Sequence, residues 1–249
     1  MRFKIKSVLI VAVFALVMAG TNNAAASVTF SSLANLSFSI ANIETSASDL
    51  SDLEFSASFV RSGADFPATF IDLTGDGVVF DTTEEFATGV KPVQVGTSFS
   101  HEFDLAGGVS AGAIDYSQVG WYDVGFNNLG VNSYSITMSY SYSLSTEIVG
   151  NDGVTSVGIH YTDSDGLIDQ FDEALASSLI TGLSSGTKQF SGSFTFTLDG
   201  VSNAKTFYID LNHSGNLLSA APVPLPAAAW SFLIGLLGVL GFNKKSMVF

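Results

Sequence analysis

The chain has 249 residues, 13 % charged and 47 % hydrophobic, with no cysteine and a formal charge of −14. This composition excludes a coiled coil, a disordered tail, a disulfide scaffold and a thiolate metal site. The acidity argues against nucleic acid as a partner, because phosphate binding needs a density of Lys and Arg. At the start, Arg2, Lys4 and Lys6 precede an unbroken apolar run at 8–18, and small residues follow at Ala24, Ala25 and Ala26. That order predicts a secretory signal peptide over 1–26, cleaved between Ala26 and Ser27, with Ala24 and Ala26 as the small residues of the cleavage site. The run spans ~16 Å as a helix, well short of a ~30 Å bilayer core, although an uncleaved anchor is the alternative. Export through a Sec-type translocon is expected.

The body, 27–221, carries all 23 acids against four cations (Arg61, Lys91, Lys188 and Lys205), a formal charge of −19. Its dominant pattern has period two. Strands are expected at 28–33, 36–43, 55–59, 66–73, 78–80, 99–105, 120–126, 154–161, 190–198 and 206–212. The clearest lies at 133–145, where every odd position is Ser or Thr and every even one is apolar or aromatic. One face of that strand packs while the other shows hydroxyls to water, and its length predicts a bulge or bend. A hairpin loop is expected at 199–204, between the last two strands. Phe171, Leu175 and Leu179 at i, i+4 and i+8 predict a short helix. The fold class is all-β: an antiparallel β-sandwich of the jelly-roll or immunoglobulin-like kind, whose Phe residues fill the space between sheets.

Chemistry-bearing residues are sparse. His101, His160 and His213 are far apart in sequence, no Gly-x-Ser-x-Gly elbow occurs, and the expectation is a non-enzymatic protein. Two loops offer hard oxygen ligands around a Gly turn, as calcium requires: Asp72 and Asp76 before Gly77, and Asp163, Asp165 and Asp169 around Gly166. Both depart from the EF-hand pattern, with Thr83 at the twelfth position of the first and Tyr161 at the first position of the second. They read either as weak calcium sites suited to extracellular concentrations or as acidic β-turns. No other cofactor is indicated. Trp121 and Tyr122 suggest an aromatic platform for sugar, the alternative being a Trp buried on a central strand.

The remaining segment, 222–249, opens with Val223, Pro224, Leu225, Pro226 and Ala227. It continues through an apolar stretch containing Trp230 and reaches Lys244 and Lys245. The 16 uncharged residues from 227 to 242 span ~24 Å as a helix, enough to cross a membrane if Trp230 sits at one interface and the lysines reach the other. This constellation resembles the PEP-CTERM family of sorting signals, in its Val-Pro-Leu-Pro-Ala variant. Lysine stands here where arginine is more usual in that family. The resemblance implies transient anchoring in the inner membrane, processing by a membrane-embedded exosortase, and release to, or attachment at, the cell surface. Taken together, the expected protein is an exported structural or adhesive component of the envelope or extracellular matrix, associated with exopolysaccharide. The alternatives are a calcium-assisted carbohydrate-binding module and a secreted hydrolase.

Overall fold

A computed structural model describes residues 27–61, 69–200 and 203–219. The expected signal peptide and sorting segment lie outside these residues. Thirteen strands and no helix occur among the described residues, and every pairing between strands is antiparallel. The first sheet has the order β12 (Ser185–Leu198), β9 (Tyr134–Val149), β1 (Val28–Thr45), β7 (Ser98–Val109), β4 (Val78–Asp81). The second has the order β11 (Asp169–Ser177), β10 (Gly153–Asp163), β13 (Asn203–Ser219), β8 (Gly112–Asn128), β2 (Leu53–Arg61), β5 (Phe86–Ala87). In that sheet β3 (Phe70–Gly75) also pairs with β8, and β6 (Lys91–Pro92) pairs with β2.

Alternation along the strands decides what is buried. In β9 the even residues from Tyr134 to Ile148 are buried, while the Ser and Thr between them stay at the surface. The inner faces of both sheets share one apolar cluster, to which Leu36, Phe38, Phe55, Phe59, Phe126 and Ile209 contribute. Fully burying such a side chain contributes roughly 1.5–3 kcal/mol. A second cluster (Val28, Phe30, Leu105, Ile114, Tyr116, Ile148 and Leu217) packs around the stacked rings of Phe30 and Tyr116, 4.5 Å apart. Between the clusters runs a buried polar belt of Ser32, Thr146, Thr155 and His213. Two sheets sharing inner faces in this way are consistent with a β-sandwich.

The structure corrects three local expectations. Residues around Phe171 and Leu175 form strand β11, hydrogen-bonded to β10, and Leu179 lies in the turn that follows. A spacing of four is even, so it fits a strand face as well as a helix face, and a free edge of β10 settled the choice. The strands flanking 199–204 do not form a hairpin. β12 pairs with β9 in the first sheet and β13 with β8 and β10 in the second, so the connection is an arch between sheets. The segments 28–33 and 36–43 are one strand, β1, whose register against β9 shifts between Ile40 and Asn42. The bulge expected within 133–145 is not in β9: it falls on the partner strand β1, where one extra residue accommodates the twist.

Candidate functional site

The outer face of the first sheet is a two-dimensional array of hydroxyls. Register aligns Ser191, Ser141, Ser37 and Ser100 across β12, β9, β1 and β7. The adjacent row is Ser193, Ser139, Ser39 and Ser98, and the row on the other side is Gln189, Ser143, Asn35 and Glu102. Thr137 and Thr195 extend it, their hydroxyls 2.9 Å apart. Most of these residues, Ser37, Ser141 and Ser191 at the centre, line two adjoining shallow depressions, the larger of about 640 Å³. Strands are spaced ~4.8 Å apart and same-face residues ~6.8 Å apart along a strand, so donors and acceptors repeat on a regular mesh.

Asp163 and Asp165 converge on Lys205. The buried ammonium lies 2.6 Å from Asp163 Oδ2 and also donates to Asp165. Asp163 Oδ1 accepts from the backbone N–H groups of Leu167 (2.7 Å) and Ile168 (3.0 Å), which closes the turn. Burial opposes the charge on Asp163, but Lys205 and the two amides outweigh it and hold the carboxyl below its ordinary pKa. Burial likewise opposes the charge on Lys205, and bonds to both carboxylates reverse the effect, raising its pKa. The third residue of that loop, Asp169, turns away and accepts from His160 Nε2 at 2.7 Å. In the other loop, Asp76 Oδ1 accepts from the N–H groups of Ser110 (2.9 Å) and Ala111 (2.8 Å), and the Ser110 hydroxyl donates to Oδ2. Those bonds, the hydroxyl of Ser110 first, lower the pKa of Asp76. Asp72 is exposed on β3 and faces Asp115 of β8. Among the described residues no group of three or more His, Asp or Glu side chains is arranged around a common metal position.

Trp121 and Tyr122 are parted by the alternation of β8. Tyr122 is 1 % exposed and donates its hydroxyl proton to His101 Nδ1, while His101 Nε2–H donates to the carbonyl of Glu84 at 2.9 Å. Trp121 is 39 % exposed on the outer face of the second sheet. The two rings therefore do not form a joint platform. Burial lowers the pKa of His101, and it raises that of Tyr122 well above the ordinary phenol range.

Lys205 and His213 complete the picture. Lys205 was legible, since alternation with Phe207 and Ile209 puts it on the inner face of β13 and a buried Lys requires acidic partners. His213 had the same signal. It lies in the polar belt with Nδ1 2.7 Å from Ser32 Oγ, its ring edge-on to Phe103, and no hydrogen-bond partner at Nε2. Burial pushes its pKa down to about 3. The same alternation puts Tyr208 on the outer face of β13, whereas the outward position of Phe171 appears only once β11 is known to be a strand. Comparison with known proteins finds no family model that matches this chain and no curated protein similar to it.

Proposed function

We propose that this is an exported, non-enzymatic protein of the cell surface or extracellular matrix, sorted by an exosortase acting on the segment that begins at Val223. In this reading the segment 1–26 is removed on export. The tail from 222, with Trp230 and Lys244–Lys245 at its two ends, holds the chain in the inner membrane until it is processed. The body is then a β-sandwich of jelly-roll or immunoglobulin-like kind. The observation that carries the adhesive part of the reading is the hydroxyl face of the first sheet. An extended, regular array of Ser, Thr, Asn and Gln suits many weak hydrogen bonds to a hydrated polymer surface. A body charge near −19 keeps such a protein dispersed outside the cell and lets divalent cations bridge it to other acidic chains.

Two measurements test this. Cells making an epitope-tagged full chain are fractionated, with and without Pro224→Ala and Pro226→Ala. The unaltered protein is expected at the surface or in the medium without its apolar tail, and the double variant retained in the inner membrane. An intact chain from residue 1 to 249 in the cytosol overturns the sorting reading. Replacing Ser37, Ser141 and Ser191 by Ala is expected to reduce attachment to the matrix, and unaltered attachment removes the adhesive role from this face.

A further inference from the structure

The outer face of the second sheet carries three partly exposed aromatic side chains, Trp121, Tyr208 and Phe171. Register aligns Val60, Trp121, Asp210, His160 and Phe171 across β2, β8, β13, β10 and β11. The neighbouring row holds Ser58, Asp123, Tyr208, Thr162 and Asp169. Trp121, Tyr208 and Phe171 are 39 %, 44 % and 65 % exposed. The ring of Phe171 lies over Gly158, where an added Cβ would meet its Cε2 at 3.3 Å, so the ring rests along the sheet with one side toward solvent. Three strand spacings of ~4.8 Å separate Trp121 from Phe171 by roughly 14 Å, and Tyr208 is the diagonal neighbour of Trp121 at roughly 7–8 Å.

Hydrogen-bonding groups fill the interval between the rings. Asp210 Oδ2 is 3.7 Å from His160 Nδ1, and His160 Nε2 is 2.7 Å from Asp169 Oδ1. Asp123 and Glu173 belong to the same surface, and no Lys or Arg stands on this face of β8, β13, β10 or β11. Desolvation, with the Asp123 charge adding to it, keeps Asp210 above its ordinary pKa despite His160. Negative charge concentrated here repels an anionic polymer and attracts donors of hydroxyl or ammonium protons.

We propose that this face binds a polysaccharide of neutral or amino sugars. Trp121, Tyr208 and Phe171 stack on the C–H faces of successive rings, while Asp210 and Asp123 accept hydrogen bonds from hydroxyl or ammonium groups. The ligand class follows from the pairing of exposed aromatic side chains with carboxylates on strands that carry no Lys or Arg on this face. The site shares no residue with the hydroxyl face or with the sorting segment, so it holds whether or not those readings do.

The test is titration of the purified full chain with hexasaccharides of glucose, mannose, galactose, glucosamine and galacturonate, and with oligolysine, at low and high salt. Saturable binding to a neutral or glucosamine hexasaccharide is expected, with none to galacturonate. Trp121→Ala and Tyr208→Ala should each weaken it at least tenfold while leaving the circular dichroism melt unchanged. Val131→Ala, in the exposed loop between β8 and β9 and on neither sheet face, should leave the affinity unaltered. The proposal is overturned by absence of binding to every neutral and amino probe, by binding that survives both aromatic variants, or by Trp121-dependent binding of oligolysine alone. Glucosamine binding that salt abolishes and Trp121→Ala spares is bulk charge attraction and overturns it equally.

Discussion

Acidification should destabilise the fold through His213 well before its carboxylates are protonated. The imidazole is fully buried in the polar belt, and desolvation outweighs the Asp81 charge and the Phe103 backbone, so the folded protein holds it neutral to about pH 3. An unfolded chain protonates the same ring near its ordinary value of 6.5. Below that value the unfolded state binds more protons, so stability is fully present above pH 6.5 and is lost as pH falls toward 3. Each unit is about 1.4 kcal/mol, so pH 5 costs about 2 kcal/mol relative to pH 7.5. His101, whose pKa burial also lowers, adds to the slope, whereas Asp163 contributes only below its ordinary value of 3.8. The decisive comparison is therefore between the unaltered chain and His213→Gln, whose amide offers Ser32 a partner and does not titrate. Urea unfolding followed by circular dichroism at pH 7.5, 6 and 5 should show the difference between the two shifting by about 2 kcal/mol in favour of the variant. A difference that stays constant across this range refutes the assignment of a neutral buried imidazole.

Other substitutions probe other parts of the argument. Lys205→Met leaves the buried Asp163 carboxylate without its cation and should cost about 3–5 kcal/mol in urea unfolding. Adding Asp163→Leu to that variant should recover part of the loss, since the stranded charge is then gone. Gly120→Ala places a methyl group 2.4 Å from the Phe59 ring and should cost about 1–3 kcal/mol, read as a lowered melting temperature. Tyr116→Phe removes a buried hydroxyl bonded to Thr155 at 2.6 Å and should cost about 1 kcal/mol.

What could be read from the chain alone followed from one periodicity. Residues 133–145 announce which side chains of β9 are buried because a strand offers only two faces and the residues are sorted cleanly between them. The same rule already separates Trp121 from Tyr122: adjacent residues on a strand cannot share a surface, so the joint platform contradicted the strand expected at 120–126. Periodicity is silent about partners. Strands β12 and β13 look like the arms of a hairpin because each alternates, yet each completes a different sheet. Phe190 shows another limit. Its position on β12 is inward, but the strand is at the edge of its sheet, so the ring stacks on Tyr142 and stays 41 % exposed. The acidic loop at 163–169 was legible as a cluster of oxygen ligands and illegible as a salt bridge, because Lys205 comes from a strand 40 residues away in sequence.

That ion pair bears on how the protein treats its own acidity. With 23 acids and four cations in the body, a carboxylate had little chance of meeting a cation by accident, yet Lys205 is buried between two of them. Pairing at this position closes the turn between β10 and β11, whose side chains deliver Asp169 to His160 and Phe171 to the aromatic row. The two outer faces therefore depend on the interior in different ways. The hydroxyl face needs only the register of β12, β9, β1 and β7, which alternation and packing maintain along their length. The aromatic face has one of its three rings on an edge strand that starts directly after the Lys205 turn. Loosening that turn should reach Phe171 before it reaches Trp121 or Tyr208, which are held on the central strands β8 and β13. Hydrogen exchange in Lys205→Met should accordingly rise first along β11, and a uniform rise over both sheets would mean that the pair stabilises the whole fold and does not specifically position that edge.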